Sequence, residues 1–136
     1  MIIDANDMIL GRLASFVAKR VLLGEKVEII NCGKAVITGE ERYILHRFKR
    51  EKSKSIQKGP YVPRTADRFV KRSIKRMLPH KNPRGREALK RIMCYVGVPE
   101  SMQDKKAQTI KEANASKVPT LRYIRVERLC KLMGGK

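Results

Sequence analysis

The chain has 136 residues, of which 32 are Lys or Arg and 13 are Asp or Glu, so its formal net charge is +19. This length predicts one domain with a buried core, and a hydrophobic content of 42% excludes a purely disordered basic tail. The pI near 10.4 exceeds the value of about 9 that is typical of nucleic-acid-binding domains.

The charge is unevenly distributed along the chain. Residues 1–45 have no net charge, residues 46–90 carry +13, and residues 91–136 carry +6. A neutral segment followed by a strongly cationic one is typical of a scaffold that presents a basic surface to a polyanion. We therefore expect a single domain over residues 1–136, with the binding region at about residues 46–90.

The first third of the chain predicts a strand, a helix and a second strand. A short apolar run over residues 1–4 is followed by a turn cluster. From Leu10 to Leu22 apolar residues recur at helical spacing, and Val27–Cys32 is rich in β-branched residues. This order is typical of a βαβ unit with parallel strands and predicts an α/β fold.

The middle third combines helices with cationic connections. Another short apolar run occupies residues 35–38, and helical spacing begins at Glu40 and continues to Lys52. Residues 52–65 lack a periodic pattern and contain two prolines, which predicts an extended loop. Residues 66–77 predict a helix whose apolar and basic residues occupy separate faces. The basic face consists of Arg68, Lys71, Arg72, Lys75 and Arg76.

The remaining elements are shorter. A cationic turn at residues 80–85 precedes a predicted short helix over 86–91, and an apolar run over 92–96 predicts a strand buried on both faces. Residues 99–120 are weakly patterned. Residues 121–126 are consistent with an extended segment, and residues 127–133 predict a last short helix.

A basic helix face has three interpretations: a solvated surface, a membrane-surface helix, or a nucleic-acid contact. A membrane helix needs exposed apolar residues on its other side, whereas a small domain needs that side for its core. Aligned cations without interspersed acids repel one another, and a polyanion relieves that repulsion. We therefore favour nucleic acid, bound mainly through phosphate because aromatic residues make up only 5% of the chain.

Other functional classes receive little support from the sequence. The three cysteines and two histidines show no zinc-binding spacing, and no phosphate-binding glycine motif or catalytic constellation is present. We therefore expect no metal site, no cofactor, no catalytic residue and no small-molecule substrate, with the cysteines reduced and largely buried. Without a transmembrane run or secretory signal, we expect a cytoplasmic protein that has no membrane partner.

Several motifs resemble the L-thirteen family of large-subunit ribosomal proteins in its archaeal and eukaryotic branch, and most closely its archaeal members. The similarity extends along essentially the whole chain. It is carried by Asp4-Ala5, Leu10–Ser15, Ala35–Gly39, Gly59-Pro60-Tyr61, Met77–Lys81, Arg84-Gly85, Gly97-Val98-Pro99 and Tyr123-Ile124.

The resemblance implies a three-layer α/β/α sandwich around a small parallel sheet of about four strands. It also implies a structural role in the large ribosomal subunit, beginning early in assembly, with rRNA and neighbouring ribosomal proteins as partners. One alternative is a general DNA-binding, RNA-binding or RNA-chaperone protein outside the ribosome, and a second is an enzyme that acts on nucleic acid or nucleotides. We expect the rRNA-binding residues to be Lys52, Lys54, Lys58, Arg64, Arg68, Lys71, Arg72, Lys75, Arg76, Lys81, Arg84 and Arg86.

Overall fold

The computed structural model describes residues 1–54, 61–119 and 122–135. Within these ranges the chain forms five strands and five α-helices, joined by turns and short 3-10 segments. In chain order they are β1 (Ile2–Asp4), α1 (Leu10–Leu22), β2 (Val27–Ile30), β3 (Val36–Thr38), α2 (Glu41–Ser53), α3 (Ala66–Met77), α4 (Pro83–Lys90), β4 (Ile92–Cys94), β5 (Tyr123–Arg125) and α5 (Val126–Leu132).

Three strands form a parallel sheet in the order β1-β2-β4. Ile3 pairs with Ile29, and Ile29 pairs with Cys94, so the three strands share one register. Each successive strand is added on the same side of the preceding one. Because crossovers between parallel strands are right-handed, the connecting helices lie on one face of the sheet. The predicted βαβ unit and the α/β class are confirmed.

The two faces of the parallel sheet differ in burial. Ile3, Val27, Ile29 and Ile92 are fully buried on the face that α1, α3 and α4 cover. On the opposite face, Ile2, Glu28 and Met93 form a row across the three strands, and Met93 is 47% exposed. β4 therefore has one partly solvent-exposed face, rather than the two buried faces that its apolar run predicted.

The parallel sheet has three strands rather than about four, because β3 pairs with β5 in a separate antiparallel ribbon. Residues 31–35 are all that separate β2 from β3. A parallel crossover needs a dozen or more residues, so β3 cannot return to lie parallel beside β2. A single parallel bridge between Ile3 and Gln108 places one more chain segment beside β1.

The helix boundaries follow the sequence pattern closely. α1 and α3 begin and end at the predicted residues, and their buried side chains recur at helical spacing. α4 begins at Pro83, three residues before the predicted start, because proline is well accommodated in the first turn of a helix. No helix in the described ranges is long and apolar enough to cross a lipid bilayer.

Candidate nucleic-acid interface

α3 packs through one face and presents cations on the other. Phe69, Val70 and Ile74 are buried, and the helix lies against α1 and β4. Met77, which the pattern assigned to the packed face, is 47% exposed, and Leu78 just beyond the helix is buried in its place. The separation of apolar from basic residues therefore holds along the helix except at its last residue.

The basic face of α3 forms one wall of a surface trough, which we call the cationic trough, with a volume of about 630 Å³. All five α3 cations predicted from the sequence line it, and none of the described residues along it is acidic. Tyr61 also lines the trough and is 70% exposed. Its described lining is Tyr61, Pro63, Arg68, Lys71, Arg72, Lys75, Arg76, His80 and Leu89.

Two of these cations also hold the walls of the trough in place. The Lys71 ammonium donates a hydrogen bond to the Ile92 carbonyl oxygen over 2.7 Å, which ties α3 to the edge strand β4. The Arg72 guanidinium donates to the Tyr61 carbonyl oxygen, which ties α3 to the segment before it. Replacing either residue would therefore disturb the scaffold as well as the charge.

The remaining three α3 cations are more exposed. Arg76 lies 3.5 Å from the carboxylate of Glu51 on α2. Arg68 and Lys75 make no hydrogen bond or ion pair within the described part of the chain, and both side chains are exposed. Arg68 and Lys75 are thus the residues whose removal changes the charge of the trough with the least effect on packing.

The predicted cationic turn continues from the end of the trough. His80 lines both the trough and the turn, and the Lys81, Arg84 and Arg86 side chains are all exposed. The Arg86 guanidinium donates a 2.9 Å hydrogen bond to the Lys81 carbonyl oxygen and so stabilises the turn.

Gly85 allows α4 to approach the turn closely. A Cβ atom at this position would lie 2.1 Å from the Pro79 carbonyl oxygen. Such a distance is far inside van der Waals contact, so position 85 requires glycine if the turn is to keep its shape.

The other predicted site residues lie apart from the trough lining. The Lys52 ammonium is 3.4 Å from the Met133 carbonyl oxygen, and the Arg64 side chain approaches Gly134, so both lie beside the C-terminal turn. Lys54 lies on a separate surface of α2. Lys58 lies outside the described residues.

The structure adds residues that the sequence interpretation did not select. Tyr43, His46, Arg47 and Arg50 line a surface of α2 together with Lys54. Their spacing of three, four, seven and eleven residues is that of one helix face, so a helical wheel of α2 would have revealed them. Tyr43 is 71% exposed, whereas its neighbour Ile44 is buried.

Three acidic residues of the first third of the chain have partners within the fold. Asp4 accepts hydrogen bonds from the Asn6 backbone and from the Asn31 amide, which joins the ends of β1 and β2. Asp7 pairs with Arg125, and Glu41 pairs with Arg128. Among the described residues, no cluster of three or more His, Cys, Asp or Glu side chains is arranged to hold a metal ion.

The three cysteines are free, and two are buried. A hydrogen bond with the Cys94 thiol and burial both raise the pKa of Cys32. Burial raises the pKa of Cys130 to about 11. Because the thiolate is the reactive form of cysteine, Cys32 and Cys130 should be unreactive in the folded protein.

Alkylation of the folded protein with iodoacetamide at about pH 8 should therefore modify Cys94, which is half-buried, before the other two thiols. Mass spectrometry after timed quenching should find at most one rapid adduct, and three after unfolding in guanidinium. Rapid modification of Cys32 or Cys130 without unfolding would contradict the buried positions of these thiols.

Comparison with known proteins identifies the family to which the chain belongs. Residues 1–101 match the family model described as ribosomal protein L13. The large ribosomal subunit protein uL13 of Picrophilus torridus is 46% identical over 133 residues, which cover 97% of this chain and 95% of that protein. The uL13 proteins of Methanosarcina barkeri and Archaeoglobus fulgidus are 42% and 41% identical, covering 99% and 98% of this chain and 98% and 86% of their own lengths. The chain therefore belongs to the ribosomal protein L13 family, in its archaeal-type branch.

Proposed function

We propose that the chain binds folded large-subunit rRNA through the cationic trough and the adjoining turn, as a structural component of the large ribosomal subunit in the cytoplasm. The L13 family is structural and non-enzymatic, and the relatives described above are named as large ribosomal subunit proteins. We infer the rRNA-binding residues and the stage of assembly from the charge and geometry of the chain.

The absence of acids along the described lining of the trough carries the proposal. Five cations from one helix line a single concave surface that also contains His80 and Tyr61. In the free protein these like charges repel one another, and closely spaced phosphates would replace that repulsion with attraction. A solvated surface with no partner would gain nothing from such a concentration of charge.

The geometry favours recognition by shape and phosphate rather than by base sequence. Double-stranded RNA has a deep, narrow major groove that side chains do not read, so proteins contact its phosphates and its shallow minor groove. Lys75 would act as a point charge, whereas Arg68 can form paired hydrogen bonds with one phosphate. The exposed ring of Tyr61 adds a surface on which an unpaired base can stack.

The division of charge supports binding from an early stage of assembly. Residues 1–45 have no net charge and supply β1, α1, β2 and β3, whose buried side chains form much of the core. This third of the chain needs no phosphate to neutralise it, so its charge does not oppose folding before the protein meets rRNA. The exposed sheet row that ends at Met93 is a candidate surface for a neighbouring ribosomal protein.

Sedimentation distinguishes this function from the alternative outside the ribosome. A tagged chain expressed in cells should sediment with the large subunit and stay bound through a wash of about 0.5 M salt, because shape contacts in the assembled subunit are not screened by salt as the phosphate contacts of the isolated RNA complex are. It should also be present in precursor particles of the large subunit. Release into the soluble fraction would instead support a general nucleic-acid-binding or RNA-chaperone protein.

Glu51 is expected to limit RNA affinity from the edge of the trough. Its carboxylate lies 3.8 Å from Arg47 and 3.5 Å from Arg76, so it competes with phosphate for both guanidinium groups. Glu51→Gln should strengthen binding to large-subunit rRNA by about 2- to 10-fold, measured by filter binding, and change the free energy of unfolding by less than about 1 kcal/mol.

The matched control for this charge change is Glu25→Gln, which removes an exposed ion pair with Arg20 outside the trough. It should leave RNA affinity within about twofold of the unmodified protein, since only a distant, screened charge is lost. Equal effects of the two variants would mean that net charge matters and the position of Glu51 does not.

A further inference from the structure

We propose that a second cavity, between α2 and α3, holds a single unstacked base of the RNA that binds the cationic trough. This inference rests on the proposed function and extends it from phosphate contact to a base-binding site. The cavity, which we call the apolar groove, has a volume of about 610 Å³ and opens beside the trough. Known small-molecule pockets span about 300–1,000 Å³, so the groove can admit a nucleoside.

The interior of the groove is mainly apolar and is held by packed side chains. Ile44 and Val36 are buried in its wall, and the rings of Phe48 and Phe69 meet edge to face with 5.2 Å between their centres. This aromatic pair links α2 to α3 in the wall of the groove. Thr38 and Ser73 add hydroxyl groups that can hydrogen-bond to a base edge.

The rim of the groove is cationic and carries an exposed aromatic ring. Arg47, Arg72 and Arg76 line it, and Glu51 is the one acid among the described lining residues. Tyr43 also lines the groove and is 71% exposed. Unpaired RNA bases are commonly stacked on tyrosine rings and on arginine guanidinium planes, and the rim of this groove offers both.

Charge complementarity selects a nucleotide over an apolar peptide as the occupant. Arg72 and Arg76 line both the groove and the trough, so a phosphate bound on the trough side lies next to the groove mouth. A base attached to that backbone can then turn into the groove while its phosphate keeps its arginine contacts. An apolar segment of a neighbouring protein would fill the interior but leave three rim arginines with Glu51 as their acidic partner in the described lining, an excess of positive charge that a phosphate would neutralise.

Photochemical cross-linking tests this site. Large-subunit rRNA transcribed with 4-thiouridine, and a second transcript with 6-thioguanosine, would be bound to the protein and irradiated with long-wave ultraviolet light. After digestion, mass spectrometry should find nucleotide adducts on residues that line the groove, including Tyr43 or its neighbours. Tyr43→Ala should reduce these adducts and weaken binding on the order of 5-fold or more, because one stacked base contributes about 1–3 kcal/mol.

Two variants serve as controls for the loss of the ring. Tyr43→Phe keeps the ring and should retain both the adducts and the affinity. Tyr123→Ala removes another exposed tyrosine, from β5 outside the groove, and should leave the adducts unchanged. Circular dichroism and thermal unfolding of all three variants would confirm that each is folded.

The results of these experiments distinguish a failure of the base site from a failure of rRNA binding as a whole. If the unmodified protein binds rRNA but forms no adduct in the groove, or if Tyr43→Ala behaves like Tyr123→Ala, the base site is wrong and the phosphate-binding trough stands. If the unmodified protein does not bind rRNA at all, the proposed function itself fails. In reconstituted large subunits, a photoreactive Tyr43→p-benzoylphenylalanine variant that cross-links to a protein instead of RNA would also overturn the base site.

Discussion

Replacing Arg68 and Lys75 together by alanine should weaken binding to large-subunit rRNA by roughly 10- to 100-fold at moderate salt, because each of the two lost hydrogen bonds contributes a net of about 1 kcal/mol. These two residues line the trough and have no hydrogen-bond or ion-pair partner in the described ranges. Their removal should therefore leave the thermal unfolding temperature nearly unchanged. Filter binding and differential scanning calorimetry on the same preparations would measure the two effects.

The control for this double variant removes the same charge from another part of the surface. Lys19→Ala with Lys26→Ala takes two exposed lysines from the end of α1 and the start of β2, outside the trough. It should reduce RNA affinity by less than about threefold, since screening weakens distant charges. If the thermal unfolding temperature of the Arg68/Lys75 variant falls sharply, the exposed face of α3 is structural and its assigned role in RNA binding is wrong.

Replacing Gly85 by alanine should destabilise the protein by about 1–3 kcal/mol, the usual cost of forcing an extra carbon into a packed site. The added Cβ would lie 2.1 Å from the Pro79 carbonyl oxygen and 2.9 Å from the His80 backbone nitrogen. Backbone atoms cannot move aside as the end of a side chain can, so the turn between α3 and α4 must shift. Urea unfolding monitored by circular dichroism would measure the loss.

Gly11→Ala is the matched control for Gly85→Ala. Gly11 is also helical, but a Cβ there meets nothing within 4 Å. Alanine is favoured over glycine inside a helix by roughly 0.5–1 kcal/mol, so this variant should be slightly more stable than the unmodified protein. The two changes therefore have opposite predicted signs. A Gly85→Ala variant as stable as Gly11→Ala would show that the approach of α4 to the turn is looser than described.

RNA binding by the folded fraction of Gly85→Ala should also fall, because Lys81, Arg84 and Arg86 are all positioned by this turn. The loss should exceed that of a single exposed cation. Unchanged affinity would mean that the turn contributes little to the interface.

The sequence alone predicted the helices and the location of the basic surface. α1 and α3 are strongly periodic, and a helix that must bury one face has only one orientation in which all its apolar residues pack. This requirement predicted that the five α3 cations lie together on the exposed side of the helix. In the structure all five line the cationic trough. Short-range periodicity carries this information because it depends only on helix geometry.

The partners of individual cations could not be predicted in this way. Lys71 and Arg72 bond to the carbonyl oxygens of Ile92 and Tyr61, which are 21 and 11 residues away in the chain. Such contacts depend on tertiary packing, which a helical wheel does not contain. The antiparallel pairing of β3 with β5 was missed for the same reason, since Val36 and Arg125 are brought together only by the complete fold.

The neutral and cationic parts of the chain form different parts of the structure. The neutral first 45 residues supply most of the sheet, whereas the cationic middle supplies α3, α4 and the turn between them. The two parts meet where α3 packs on α1, so the scaffold fixes the orientation of the trough. We therefore expect RNA binding by this surface to require no rearrangement of the core.

The salt dependence of binding to large-subunit rRNA tests the central claim most directly. If the trough and turn neutralise about six to ten phosphates, affinity should fall by about 10³- to 10⁵-fold between 50 and 200 mM salt. The Arg68→Ala, Lys75→Ala variant should show a shallower dependence, with the slope of log affinity against log salt reduced by about one for each contact removed. A nearly flat salt dependence, or the same slope in the variant, would contradict phosphate binding by this surface.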